Sequence, residues 1–349
     1  MVVARRKPVN PSWKPGNLHL YSPFPEGVSP LPIQVLVTRD FEQMSDVAAD
    51  TIRQRLQPLE RGKDDIVLGL ATGNSQTGLY ARLVAFANRC ELDSGRWRTF
   101  NLDEYIGLTA PYSTSPAPHP QSFRNFMDRH LFGRLEASPR AMFVPEGERI
   151  DAARLRRELE LDPGGWTSEG SISGRAIVID RDAASPYLRW VRSRILDTYA
   201  NRIHEAGGID LQVLGVGGRG HVAFHEAGIP FELSGLLLVE LDRVTREHAV
   251  ADGYFAGLDE CPHYALTMSL RLVFEAREVV LLAAGRRKTG AITQSLLNEP
   301  SARMPISYAQ LYAQSGGVVT FVVDEIAAEG LLTAPRQVER RGIRLADLR

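Results

Sequence analysis

Two rhythms of apolar and polar residues run along this chain. Short apolar runs, many of them β-branched, fall at Ile33–Val37, Asp65–Leu70, Thr99–Leu102, Arg175–Asp180, Ile209–Gly215, Gly235–Leu241, Glu278–Ala283 and Gly317–Val323. Runs of this kind predict strands covered on both faces. Between them the spacing changes. From Asp40, apolar side chains recur at Phe41, Met44, Val47, Ala48, Ile52 and Leu56, the stripe of an amphipathic helix. Similar patterns predict helices over 79–87, 121–134, 151–161, 187–206, 264–275 and 287–298. Strands alternating with helices predict an α/β fold with a mainly parallel, doubly wound sheet. Residues 1–32 hold seven prolines and no periodicity, and read as an irregular N-terminal arm. The α/β domain then spans 33–330, and 331–349 reads as a C-terminal tail. Thr109–Pro120, with four prolines, and the Gly- and Ser-rich Leu161–Gly174 read as surface excursions.

Composition narrows the function classes. The 349 residues carry 41 Lys+Arg against 42 Asp+Glu, a net charge of −1. That balance argues against a nucleic-acid partner, which requires clustered excess cations. Two cysteines, Cys90 and Cys261, are too few for a disulfide framework or a cysteine-rich zinc site. No apolar run approaches the roughly 18 residues that span a bilayer. Residues 1–16 carry basic residues with no apolar run behind them, so neither a secretion signal nor a membrane partner is expected. The expected setting is the cytoplasm; oligomeric state, a homo-oligomer included, is left open.

Four segments carry candidate chemistry. Leu70–Gly78 (LATGNSQTG) follows a strand and opens a helix, where unpaired N–H groups and the dipole favour an anion. An ordinary βα turn capped by Ser and Thr is the commoner reading of such a segment on its own. Thr99–Tyr105 (TFNLDEY) closes a strand with Asp103 and Glu104, placed for a general base or for a helix cap. Gly215–Glu226 (GVGGRGHVAFHE) packs four glycines into six residues and then presents His221, His225 and Glu226. A carboxylate beside an imidazole orients its tautomer, as an acid–base pair requires. His225 competes for the same partner, and a metal held by His221, His225 and Glu226 would lack a recognisable zinc spacing. Gly285–Lys288 (GRRK) sets three cations at a helix start, against the dipole, a placement an anion would relieve.

Taken in order, these motifs resemble the glucosamine-6-phosphate deaminase/isomerase family, related to the 6-phosphogluconolactonases. The resemblance rests on Leu70–Gln76, on Thr99–Leu108 (TFNLDEYIGL), on His119–Phe123 (HPQSF), on Gly215–Ala227, on Tyr264–Thr267 and on Lys288. It implies a Rossmann-like three-layer fold acting without metal or organic cofactor on a small sugar phosphate. The implied reaction opens the sugar, moves the C2 proton to C1 and releases ammonia with a ketose phosphate. Carried over by position, Asp103 becomes the proton-transferring base, His221 assists ring opening and Glu226 is its carboxylate partner. Thr72, Gly73, Asn74, Ser75 and Lys288 become the phosphate cradle.

The pattern breaks twice. Arg219 stands where the family has an aspartate, reversing a charge beside His221. Three consequences fit the sequence. His221 and Glu226 work without the acid, Arg219 receives an anionic group of another substrate, or Arg219 faces solvent and the chain binds sugar phosphate without turnover. Asp252 stands where the family has a phosphate-binding arginine; Arg243 and Arg246 are nearby but neither matches that motif, and Arg286 or Arg287 is the substitute open in space. An isomerase or lactonase with altered substrate is the alternative reading.

Overall fold

A computed structural model describes residues 33–108, 119–171, 174–251 and 253–349. The proline-rich arm, most of the Thr109–Pro120 excursion and Asp252 lie outside the described residues. Seven strands fall in the first half of the described chain: β1 (Ile33–Thr38), β2 (Ile66–Leu70), β3 (Trp97–Asn101), β4 (Asp103–Tyr105), β5 (Ala141–Phe143), β6 (Trp166–Ser171) and β7 (Gly174–Ile179). Six follow: β8 (Leu211–Gly215), β9 (Leu236–Glu240), β10 (Tyr264–Met268), β11 (Glu278–Ala283), β12 (Val318–Asp324) and β13 (Arg344–Asp347).

Eight of these form the main sheet in the order β13-β1-β12-β11-β8-β2-β3-β5, every neighbouring pair parallel. Side chains alternate between its faces as a pleated sheet requires. On β12, Phe321 and Val323 enter one core and Val322 the other; on β11, Leu281 opposes Val280 and Leu282. Helices Phe41–Glu60 and Asn74–Asn88 cover one face through Met44, Ile52, Leu79 and Leu83. The other face receives Leu188 and Tyr199 from the 186–205 helical run, Ile292 from Arg286–Leu297 and Ala328 from Glu325–Leu332. The helix–sheet–helix layering is the three-layer α/β architecture expected.

The periodicity did not foretell a second sheet. Its order is β4-β10-β9-β7-β6, with every pair antiparallel. The runs at 175–180 and 235–241, expected in the parallel sheet, pair here instead. One face of this sheet joins the main core through Ile177, Leu238 and Leu266; the other gathers Ala176, Val239 and Ala265 with Tyr105, Phe224 and Phe255. Both faces are apolar, so the two-sided pattern that signals a parallel strand is matched by an antiparallel one sandwiched between two cores. Part of the 161–174 excursion is strand β6. The helix expected over 264–275 is strand β10, then a short helix Leu270–Val273 capped by Ser269. The segment expected as a tail forms a helix, Pro335–Arg340, and edge strand β13, which pairs with β1. Among the described residues no helix is long and apolar enough to cross a membrane.

Candidate functional site

Four strands side by side in the main sheet, β11, β8, β2 and β3, point their carboxyl ends at one crevice, the usual ligand position in open α/β sheets. The residues following those ends line a pocket of about 650 Å³. From β2 come Thr72, Gly73, Asn74 and Ser75; from β3, Asp103; from β8, His221; from β11, Arg286, Arg287 and Lys288. Segments far apart in sequence therefore meet in one cavity. Arg219 and Glu226 do not line it.

Asp103 owes its place to a change of sheet. β3 ends at Asn101, and after Leu102 the chain enters β4, where Asp103 pairs with Thr267 of β10. Leu102 is tied to both sheets: its N–H donates to Leu70 O (3.2 Å) and its carbonyl accepts from Met268 N (2.7 Å). Asp103 is left 5 % exposed at the pocket wall. Burial, then the neighbouring Glu104 charge, pushes its carboxyl well above the usual carboxylate range.

Glu104 turns the other way. Its oxygens accept from the N–H groups of Tyr105 (2.9 Å), Phe123 (3.0 Å) and Arg124 (3.0 Å), holding the start of helix Phe123–His130. The two acids thus divide the roles the sequence allowed them, one at the pocket and one at a helix cap. Burial raises the Glu104 carboxyl to about 7 against its three N–H donors. Across the window from the ordinary 4.5 to about 7 the native chain holds a proton that an unfolded glutamate has released, so stability falls as pH rises. Thermal unfolding between pH 5 and pH 8 should show that decline, and Glu104→Gln should flatten it.

His221 emerges from the glycine turn after β8, its carbonyl accepting from Gly217 N (2.9 Å). Its Nδ1 lies 3.5 Å from Glu226 Oε2. Both atoms are buried, and neither makes a shorter contact that satisfies it as a hydrogen bond. Glu226 is 1 % exposed, and its Oε1 accepts from Thr245 Oγ1 (2.5 Å). Burial raises its carboxyl, but His221, Thr245 and Arg219 outweigh that and hold it below the ordinary value. Arg219 does not line the pocket, and its side chain, 37 % exposed, is anchored rather than free in solvent. Its guanidinium is bonded to buried Asp242 and stands 3.7 Å from Glu226 Oε2. Asp242 had no signal in the sequence.

His225 is a core residue. Fully buried, it accepts Leu270 N at Nδ1 (3.3 Å) and meets Ile229 O at Nε2 (3.2 Å), and burial lowers its ring to about 4. Its two nitrogens are thus turned away from His221 and Glu226. Among the described residues no group of three His, Cys, Asp or Glu side chains could hold a metal ion.

Two helix starts at the pocket carry no side-chain cap: Asn74–Asn88 starts at Gly73 and Arg286–Leu297 at Gly285. Helices Phe41–Glu60, Phe123–His130, Ala152–Leu161 and Glu325–Leu332, by contrast, are capped by Asp40, Ser122, Asp151 and Asp324. Both starts without such a cap line the pocket; the Gly285 N–H is held by Asp324 (3.0 and 2.9 Å), and the first-turn N–H groups beyond it suit an anion. Asp103 is the one acid among the described pocket residues, against Arg129, Arg286, Arg287 and Lys288. Arg243 is paired with Glu247 (2.8 Å), and Arg246 holds the carbonyls of Leu258 (2.5 Å) and Cys261 (3.0 Å). Neither lines the pocket, whereas Arg286 and Arg287 do.

Residues 39–319 match the family of glucosamine-6-phosphate isomerases/6-phosphogluconolactonase. Glucosamine-6-phosphate deaminase 2 of Bacillus subtilis is 30 % identical over 305 residues, covering 86 % of this chain and 99 % of its own. Glucosamine-6-phosphate deaminase of Thermoanaerobacter pseudethanolicus is 28 % identical over 296 residues, covering 85 % and 94 %. Among solved structures, a monomeric glucosamine-6-phosphate deaminase superposes with a TM-score of 0.64 at 25 % identity, over 85 % of this chain and 99 % of that one. The 6-phosphogluconolactonase of Trypanosoma brucei shares the fold at a TM-score of 0.53 and 16 % identity, over 85 % and 98 %. With motifs, fold and pocket in agreement, the chain belongs to the glucosamine-6-phosphate isomerase/6-phosphogluconolactonase family.

Proposed function

We propose that this chain is an amino-sugar-phosphate deaminase/isomerase, converting glucosamine 6-phosphate or a close analogue, with water, into a ketose phosphate and ammonia. The observation that carries the reading is one pocket holding buried Asp103, His221 backed by Glu226, and two uncapped helix starts beside Lys288. The phosphate sits on Thr72–Ser75 and on the Gly285 turn with Lys288. His221, its Nδ1 proton directed at Glu226, passes a proton at Nε2 as the ring opens and C1 becomes an aldehyde. Asp103 then removes the proton from C2 as the aldehyde oxygen takes up a proton, leaving an enolamine across C1 and C2. Returning that proton to C1 gives an imine at C2, which water hydrolyses to the ketone and ammonia. The raised Asp103 carboxyl supports its place as base, since a general base works best with its pKa moved from the ordinary carboxylate range toward working pH. The setting proposed is a reducing cytoplasm, supported by the unbonded thiols of Cys90 and Cys261.

The purified chain offered glucosamine 6-phosphate and, separately, a 6-phosphogluconolactone separates the family's two chemistries. Ammonium from the first sustains the reading; ring hydrolysis of the second without ammonium from the first replaces it with the lactonase one. Lys288→Ala should raise KM for the sugar phosphate by roughly ten- to a hundredfold, the value of a charge-assisted contact, with a smaller change in kcat. Equal KM in steady-state assays would remove Lys288 from the cradle.

A further inference from the structure

Arg219 and His221 compete for one oxygen. Glu226 Oε1 is taken by Thr245, so Oε2 is what remains for both His221 Nδ1, 3.5 Å away, and Arg219 Nη2, 3.7 Å away. A guanidinium is the stronger charged donor, and one that closed on Oε2 would draw the carboxylate off the imidazole. Asp242 holds the same guanidinium from the other side. It is 6 % exposed, one oxygen fixed by Val244 N (3.1 Å), the other bonded to the same Arg219 nitrogen that faces Glu226. Both carboxylates lie over Gly174 of β7, where an added Cβ would fall 2.7 Å from Glu226 Cβ and 3.7 Å from Asp242 Cβ. The backbone there leaves room for two acids side by side, with the guanidinium bridging them.

We infer that Asp242 is a positioning residue: by holding Arg219 it keeps the Glu226 carboxylate available to His221. This rests on the deaminase reading for its kinetics and on geometry alone for its structure. The charge brought by Arg219 is offset by Asp242, so the site works with a cation behind it rather than in spite of one.

The test uses Asp242→Asn and the double variant Arg219→Gln/Asp242→Asn. In Asp242→Asn the guanidinium loses its counter-charge; a crystal structure should show Arg219 Nη2 closed to about 3 Å from Glu226 Oε2, with His221 Nδ1 farther away than in the parent. With glucosamine 6-phosphate, kcat should fall about tenfold or more while KM stays within about threefold. The double variant, with no guanidinium to misplace, should recover most of that loss. A merely structural Asp242 would leave the double variant at least as impaired as the single one. Arg219 staying in place in the Asp242→Asn crystal overturns the inference whatever the substrate proves to be. So does a double variant no faster than the single. If the parent releases no ammonium, the deaminase reading fails, and the crystal structure still decides the role of Asp242.

Discussion

Asp103→Asn should lose roughly a hundred- to ten-thousandfold in kcat while the protein becomes no less stable. The side chain is nearly isosteric, so the pocket keeps its shape and the substrate its binding groups. What disappears is the proton acceptor. The stability half of the expectation follows from burial. Asp103 is 5 % exposed, with its carboxyl raised well above the usual range, so the native chain keeps a proton where an unfolded aspartate has released one. Native proton binding then exceeds unfolded binding, and the Asp103 contribution to stability declines as pH rises. A neutral amide carries no such decline. The melting temperature of the variant, measured against the parent at pH 5 and at pH 8, should match or exceed it, with the larger gain at pH 8. A carboxylate held at the expense of stability and needed for turnover is the combination expected of a catalytic group. Retained turnover, or a variant that melts lower at pH 8 than at pH 5 relative to the parent, would count against that assignment.

Gly217→Ala is expected to cost about a hundredfold in activity with little change in fold. An added Cβ would lie 2.0 Å from His221 Nε2, 2.2 Å from Cε1 and 2.4 Å from Cδ2, against the face of the ring. The imidazole must move by more than about 1 Å to restore ordinary contact, and a displacement of that size from productive geometry costs about 10²-fold. Movement also separates Nδ1 from Glu226 Oε2, its buried partner. The discriminating measurement is a double-mutant cycle. If Gly217→Ala acts through the imidazole, it should add almost nothing in a His221→Ala background. Additive losses would mean that the glycine serves the pocket in another way.

The site was more legible in this sequence than the sheet arrangement around it. Glycine-rich turns at the ends of apolar runs, after β2 and β8, reveal themselves because backbone near a ligand must lack side chains, and His221 follows one of them. Asp103 and Glu104 were visible as acids at a strand end, but adjacency hid the division of labour: pleating sends neighbours to opposite sides, one into the pocket and one onto helix Phe123–His130. The second sheet escaped because Arg175–Asp180 and Gly235–Leu241 are apolar on both faces, as parallel strands are. Tyr264–Met268 escaped because its apolar run continues through Leu270–Val273 at helical spacing, and only Ser269 marks the join. Asp242 could not have been found by pattern. It is an acid just past the end of β9, and it meets Arg219 from 23 residues away.

Glucosamine 6-phosphate deuterated at C2 tests the central claim most directly. Ammonium release by the parent should be slower than with the ordinary sugar, part of the label should reach C1 of the ketose phosphate, and Asp103→Asn should release essentially none. Ammonium release by Asp103→Asn at the parent's rate, with the label at C2 undisturbed, would contradict the account.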